Sequence, residues 1–195
     1  MELIDLKNVI EEDLDKQLIS PNVLLSKFRM LSEDSRKSPN YIDPRNMPFY
    51  YHLGKYLKPN VLLEVGFDLG LRSGCFLKSC NTVKHLLAQS NDRDSVRLGI
   101  KNIRDIFKGK FDLSIGDLSI KLKLDLVIIN DDLEYEEYRN IFDLVYAKLM
   151  LDGFMIVGYA ESNLLCKDAL KAFCKIHNRK SVLISTRYGT RIIKK

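Results

Sequence analysis

The 195-residue chain contains no run of about 18 apolar residues, so the sequence offers no candidate membrane span. Residues 1 to 16 are acidic and amphipathic, without the basic start and apolar stretch of a signal peptide. Cysteine is scarce. Cys75, Cys80, Cys166 and Cys174 form no Cys-x-x-Cys pair, and no histidine stands at ligand spacing from them, which argues against a structural zinc site. The simplest reading is reduced thiols inside a cytoplasmic protein. Internal repeats and low-complexity tracts are missing, and no serine or cysteine sits in a nucleophile elbow, so hydrolase chemistry has no foothold.

What is present is the balance of a soluble globular domain: 46% apolar residues, 29% charged, and a formal net charge of +5. The basic residues are spread out, with short clusters at Arg179-Lys180 and Lys194-Lys195. Such a distribution reads first as solvated surface; a nucleic-acid groove is left open but not favoured.

Periodicity divides the chain at about residue 47. Leu3, Leu6, Ile10, Leu14 and Leu18 predict one helix. Ser20-Pro21 opens a second, with Val23, Leu24, Phe28 and Leu31 on one face. Residues 32 to 47 are polar and punctuated by Pro39 and Pro44, as a linker or a flap would be. Residues 1–47 are therefore expected to form a helical extension and 48–195 the main domain. There, short apolar runs at 61–65, 82–88, 111–115, 124–129 and 153–157 alternate with helical patterns, which predicts an α/β fold with a parallel sheet covered on both faces. Residues 182–186 and 191–193 are separated only by a tight turn around Tyr188-Gly189, which permits only an antiparallel hairpin.

The densest signal follows the first of these strands: Glu64-Val65-Gly66-Phe67-Asp68-Leu69-Gly70. Ligands of open α/β sheets bind beyond the carboxyl ends of the strands, glycine lets the backbone approach them, and a helix N-terminus offers free N–H groups to an anion. The segment resembles motif I of class I S-adenosylmethionine-dependent methyltransferases, with Glu64, Gly66 and Gly70 as its acid and outer glycines. Ile115-Gly116-Asp117 is similar to the family's Gly-Asp after strand three. Residues 124–132 resemble strand four and its loop, residues 149–157 the approach to strand five, and residues 187–194 the closing hairpin.

The resemblance implies a three-layer Rossmann-like methyltransferase fold, with a seven-stranded, mostly parallel sheet ending in the antiparallel hairpin. It also implies S-adenosylmethionine as cofactor and a small-molecule substrate. Glu64, Gly66, Phe67, Asp68, Gly70, Gln89, Asp117 and Asn130 would line the cofactor, and Asp132 would be the candidate proton acceptor. A homodimer is left open.

Several residues depart from that pattern. Asp68 stands where the family has its central glycine. Strand two lacks the acid that pairs with the ribose, expected about 20 residues after the first glycine; Gln89 or Asp92 is nearest. Leu133 occupies the place of a histidine, and strand five has no acid until Glu161, so Asp131 and Asp132 are not expected to hold a metal. No Asp/Asn-Pro-Pro-aromatic motif follows strand four, against the common amino-methylating DNA enzymes. His52 lies just ahead of strand one, either at the pocket edge or as a satisfied structural residue. Two readings follow: an active methyltransferase, or a catalytically inactive descendant of the fold that serves as a binding or interaction module. A nicotinamide-dependent enzyme ranks below both, because Gly-x-Gly-x-x-Gly is missing.

Overall fold

The computed structural model describes residues 1–26, 28 and 43–195. Its centre is a seven-stranded sheet of order β3-β2-β1-β4-β5-β7-β6. The strands are β1 (Val61–Val65), β2 (His85–Ser90), β3 (Lys110–Ile115), β4 (Leu124–Ile129), β5 (Leu149–Val157), β6 (Ser181–Ile184) and β7 (Thr190–Lys194). The first five run parallel, and β7 pairs antiparallel with both β5 and β6. Among the described residues the helices are α1 (Leu3–Asp15), α2 (Pro21–Leu25), α3 (Met47–Tyr56), α4 (Leu71–Ser79), α5 (Arg93–Arg104), α6 (Tyr135–Lys148) and α7 (Leu164–Ile176). None is long and apolar enough to cross a membrane.

Strand pleating explains the apolar runs. Leu62 in β1 and Leu126 and Ile128 in β4 join a core with α1 through α5. Their neighbours Leu63, Val65, Val127 and Ile129 face the other way, into a core with α6 and α7. Both faces are covered, so the central strands are apolar at consecutive positions instead of alternating.

Several boundaries differ from the sequence expectations. β2 begins three residues later than residue 82 and runs on to Ser90, because its register is set by pairing with both β1 and β3. β5 starts at Leu149, and its pairing with β4 breaks register between Leu124 and Leu126, next to Asp152 in a left-handed conformation (φ 66°). α1 ends at Asp15, so Leu18 falls off its face and is 57% exposed. α2 is only five residues long; Leu24 is buried, while Val23 points to solvent. Leu31 and residues 32–42 of the expected linker lie outside the described residues. Pro44–Asn46 form a 3-10 turn that leads directly into α3, with Asp43 accepting from the Arg45 N–H.

The chain leaves β1 toward β2 and β3, then returns to place β4 on the other side of β1. The topological switch point therefore lies between the carboxyl ends of β1 and β4, where a crevice opens in this architecture. Leu6 and Ile10 dock α1 on the shared core with no exposed surface. Truncating either to alanine is expected to lower unfolding free energy by about 2–5 kcal/mol. Leu18→Ala should stay within about 0.5 kcal/mol of the parent. Urea denaturation midpoints would check both.

Candidate functional site at the switch point

Gly66 and Gly70 both adopt positive φ (78° and 64°), as the sharp strand-to-helix turn requires. A Cβ on Gly66 would collide with the backbone carbonyl of Asn130, and one on Gly70 would stand 2.7 Å from the Phe67 ring. Both glycines are thus demanded by the protein's own packing. The N–H groups of Gly66 and Phe67 donate to the Gln89 carbonyl at 3.0 and 2.9 Å, tying the loop to the end of β2. Gly70 then starts α4 with no side-chain cap.

Beneath the loop lies a fully buried ionic cluster. Arg72 Nη1 donates to Glu64 Oε1 at 3.1 Å and to the Gly66 carbonyl at 2.7 Å. Glu64 Oε2 accepts from the Ser73 backbone at 3.1 Å and from the Ser73 hydroxyl. With the Asn130 amide oriented so that its oxygen faces the guanidinium, Oδ1 accepts from Arg72 Nη2 at 2.5 Å and Nε at 3.1 Å. A Cβ on Gly158 would run into that amide, so glycine at the end of β5 makes room for it. Burial pushes the Glu64 carboxyl up, and Arg72 and Ser73 pull it back. Glu64 is therefore committed to Arg72 and α4.

Around this cluster lie buried acceptors with nothing to accept from among the described residues. Asp68, Gln89 and Asp131 are each more than nine-tenths buried. Asp68 Oδ1 accepts from the Ser90 hydroxyl at 3.2 Å, and Asp131 Oδ1 from the Asp132 N–H at 3.0 Å. The Gln89 amide nitrogen donates to the Gly116 carbonyl at 2.9 Å and to Asn91 Oδ1 at 3.1 Å. Asp68 Oδ2, Gln89 Oε1 and Asp131 Oδ2 have no partner among the described residues. Such orphans are costly in a folded protein and call for an explanation. Burial, with Asp131 and Glu64 adding to it against Arg72, pushes the Asp68 carboxyl up to about 7. Burial also raises Asp131.

The other sequence candidates are placed differently. The Phe67 side chain is buried in the core, 5.6 Å from the Phe111 ring, so only its backbone belongs to the loop. Asp117 is exposed, next to Gly116 at the rim. Asp132 is exposed and its carboxylate accepts from Asn163 Nδ2 at 2.9 Å; the buried carboxylate of this loop is its neighbour Asp131. Asp92 is taken up as the N-cap of α5. His52 is buried with its Nδ1 3.0 Å from Asp13 of α1, and burial lowers its pKa. The Tyr50 hydroxyl lies 3.4 Å from the Asn130 amide and Tyr159 stacks beside Tyr188 at 5.1 Å, which gives the site aromatic neighbours.

Arg72 carried a signal that periodicity does not weigh. A cation in the first turn of a helix opposes the helix dipole, so its place there needs a reason, and the buried Glu64 is that reason.

No protein-family model matches the chain, and no curated protein matches it in sequence. Solved structures do match in shape. One is the O-methyltransferase TomG from Streptomyces achromogenes, involved in tomaymycin synthesis and crystallised with S-adenosylmethionine. It aligns at TM-score 0.70 and 11% identity over 100% of this chain and 98% of that one. An O-methyltransferase from Bacillus cereus in complex with S-adenosylhomocysteine aligns at TM-score 0.69 and 10% identity over the whole of both chains. A methyltransferase from Geobacter sulfurreducens gives 0.70 and 14% over 96% and 97%. The chain has the class I methyltransferase fold, including the C-terminal antiparallel hairpin.

A carboxyl with a raised folded-state pKa makes the native state bind more protons than the unfolded one. The stability Asp68 contributes is therefore complete below about pH 4, the ordinary range of an unfolded aspartate, and is lost as pH rises through about 7. Asp68→Asn is expected to remove this part of the pH dependence and to be the more stable protein at about pH 8. Urea midpoints of both proteins across that range would show it; parallel curves would contradict it.

Proposed function

We propose that the chain is an S-adenosylmethionine-dependent methyltransferase acting on a small molecule, with its cofactor in the crevice beyond β1, β2 and β4. The observation that carries this reading is the set of three buried acceptors without partners, Asp68 Oδ2, Gln89 Oε1 and Asp131 Oδ2. A ligand with an ammonium group and hydroxyls supplies the donors they lack. The likeness in fold to methyltransferases crystallised with this cofactor or its product supports the same reading.

When bound, the cofactor supplies a methyl group on a sulfonium. The protein's part is binding, orientation and exclusion of water. At the start of α4 the Ser73 N–H already binds Glu64, which leaves the N–H groups of Leu71 and Arg72 for the cofactor's carboxylate. Asp68, Gln89 and Asp131 accept from its amino group and hydroxyls. Gly66 and Gly70 shape the wall, and Asn130 and Asp117 stand at its edges. Glu64 acts indirectly, by holding Arg72. Asp132, exposed just past β4, is the candidate acceptor for the substrate's proton, since the one free oxygen of Asp131 is assigned to the cofactor.

One observation favours the second reading, a binding module without catalysis. Arg72 already occupies the Gly66 carbonyl and the Asn130 amide, so part of the crevice floor is spoken for.

Calorimetry should detect S-adenosylmethionine and S-adenosylhomocysteine binding with dissociation constants on the order of micromolar. Gln89→Ala, which removes one of the three free acceptors, should weaken both by up to about tenfold. No binding of either ligand to the wild type would sink the proposal. Binding without any methyl transfer to a panel of small acceptors would favour the module.

A further inference from the structure

We propose that Asp68 and Asp131 form a carboxylate pair that selects for positive charge, keeping a proton while the crevice is free and releasing it to solvent when a cationic ligand binds. This rests on the cofactor reading above and adds the charge selectivity and proton linkage of the same site.

The two groups come from different loops. Asp68 sits in the β1–α4 turn, in a left-handed conformation (φ 42°) that aspartate tolerates better than most residues. Asp131 sits just past β4. Each commits one oxygen, to the Ser90 hydroxyl and to the Asp132 N–H, and leaves the other without a partner. The groups facing Asp68 are Glu64 from β1, Arg72 from α4, Asp131, and the Ser90 hydroxyl from β2. Those acting on Asp131 are Arg72, Asp68, Asp132 and Glu137 of α6.

The charge count decides the matter. Among these buried groups there is one cation, Arg72, and three carboxyls, Glu64, Asp68 and Asp131. Arg72 spends its donors on Glu64, the Gly66 carbonyl and Asn130. Two buried carboxyls thus lack a directly bonded counter-ion. Like charges in a desolvated site do not both ionise cheaply, so the pair retains a proton. The raised titration of both groups agrees with this. Bringing in a cation reverses the preference: the carboxylate form gains a partner and the proton leaves.

Gln89 Oε1, the third orphan, is a neutral acceptor and adds no charge. The chemical class selected is a small cation with N–H or O–H donors. S-adenosylmethionine carries a sulfonium besides its ammonium, whereas the demethylated product carries the ammonium alone. The pair should favour the unreacted cofactor and ease departure of the product.

The test is titration calorimetry on the full chain with both ligands, in two buffers of different ionisation enthalpy. From about pH 5.5 to about 7, affinity for S-adenosylmethionine should rise about tenfold, with net proton release. The rise for S-adenosylhomocysteine should be several-fold smaller. In Asp68→Asn, a near-isosteric change that removes a buried charge, the pH dependence should flatten and the preference between the ligands should shrink. Asp131→Asn should act in the same direction. If wild type binds both ligands with no proton release and no pH dependence, this inference fails while the cofactor reading stands. If wild type binds neither, the cofactor reading fails and takes this inference with it.

Discussion

Arg72 enters the molecule at the first turn of α4 and ends under the carboxyl edge of the sheet. There it bonds to Glu64 of β1, to the Gly66 carbonyl of the loop and to Asn130 at the end of β4. One guanidinium thus joins the two strands that flank the switch point to the helix that follows. A buried pair of this kind adds little to stability over a well-packed apolar substitute, but removing one partner costs about 3–5 kcal/mol because the other is left stranded. Its value here is geometric. It fixes the turn between β1 and α4, and with it the positions of Asp68 and Asp131.

That constraint changes the meaning of the glycine-rich loop. Its glycines look like room left for a ligand, yet the space beside Gly66 belongs to the Asn130 backbone and the space beside Gly70 to Phe67. The loop would need both glycines to fold. The pointer to a ligand comes from the acidic and amide groups around it, which are buried at a cost and left with free oxygens. These atoms point to a function where the fold, which hosts many activities, does not.

Much of the architecture was legible in the sequence, for physical reasons that can be named. β4 stands out because it is buried on both faces, and α5, α6 and α7 because each lays one apolar stripe on the sheet. The hairpin follows from a turn too short for any crossover. The edges of β2 and β5 were harder, since pairing on both sides sets them and no local pattern records it. Periodicity carries α1 on to Leu18, beyond its end at Asp15, because a leucine at the right spacing does not show that the helix has already ended. Within the site, the sequence reached Asp68 and Gln89 but not their state. Asp131 and Asp132 are neighbours of the same type, and only the fold shows that one turns inward while the other reaches Asn163. Arg72 is not legible in the sequence because its partner, eight residues away, lies on a different element.

The central claim is that the crevice between the ends of β1, β2 and β4 holds the nucleoside cofactor. A crystal structure grown with S-adenosylhomocysteine tests it most directly. The account predicts ligand density above Gly66 and Gly70, with Asp68 Oδ2, Gln89 Oε1 and Asp131 Oδ2 each within hydrogen-bonding distance of a ligand donor. Density elsewhere on the molecule, or a ligand that leaves all three oxygens without partners, would contradict it.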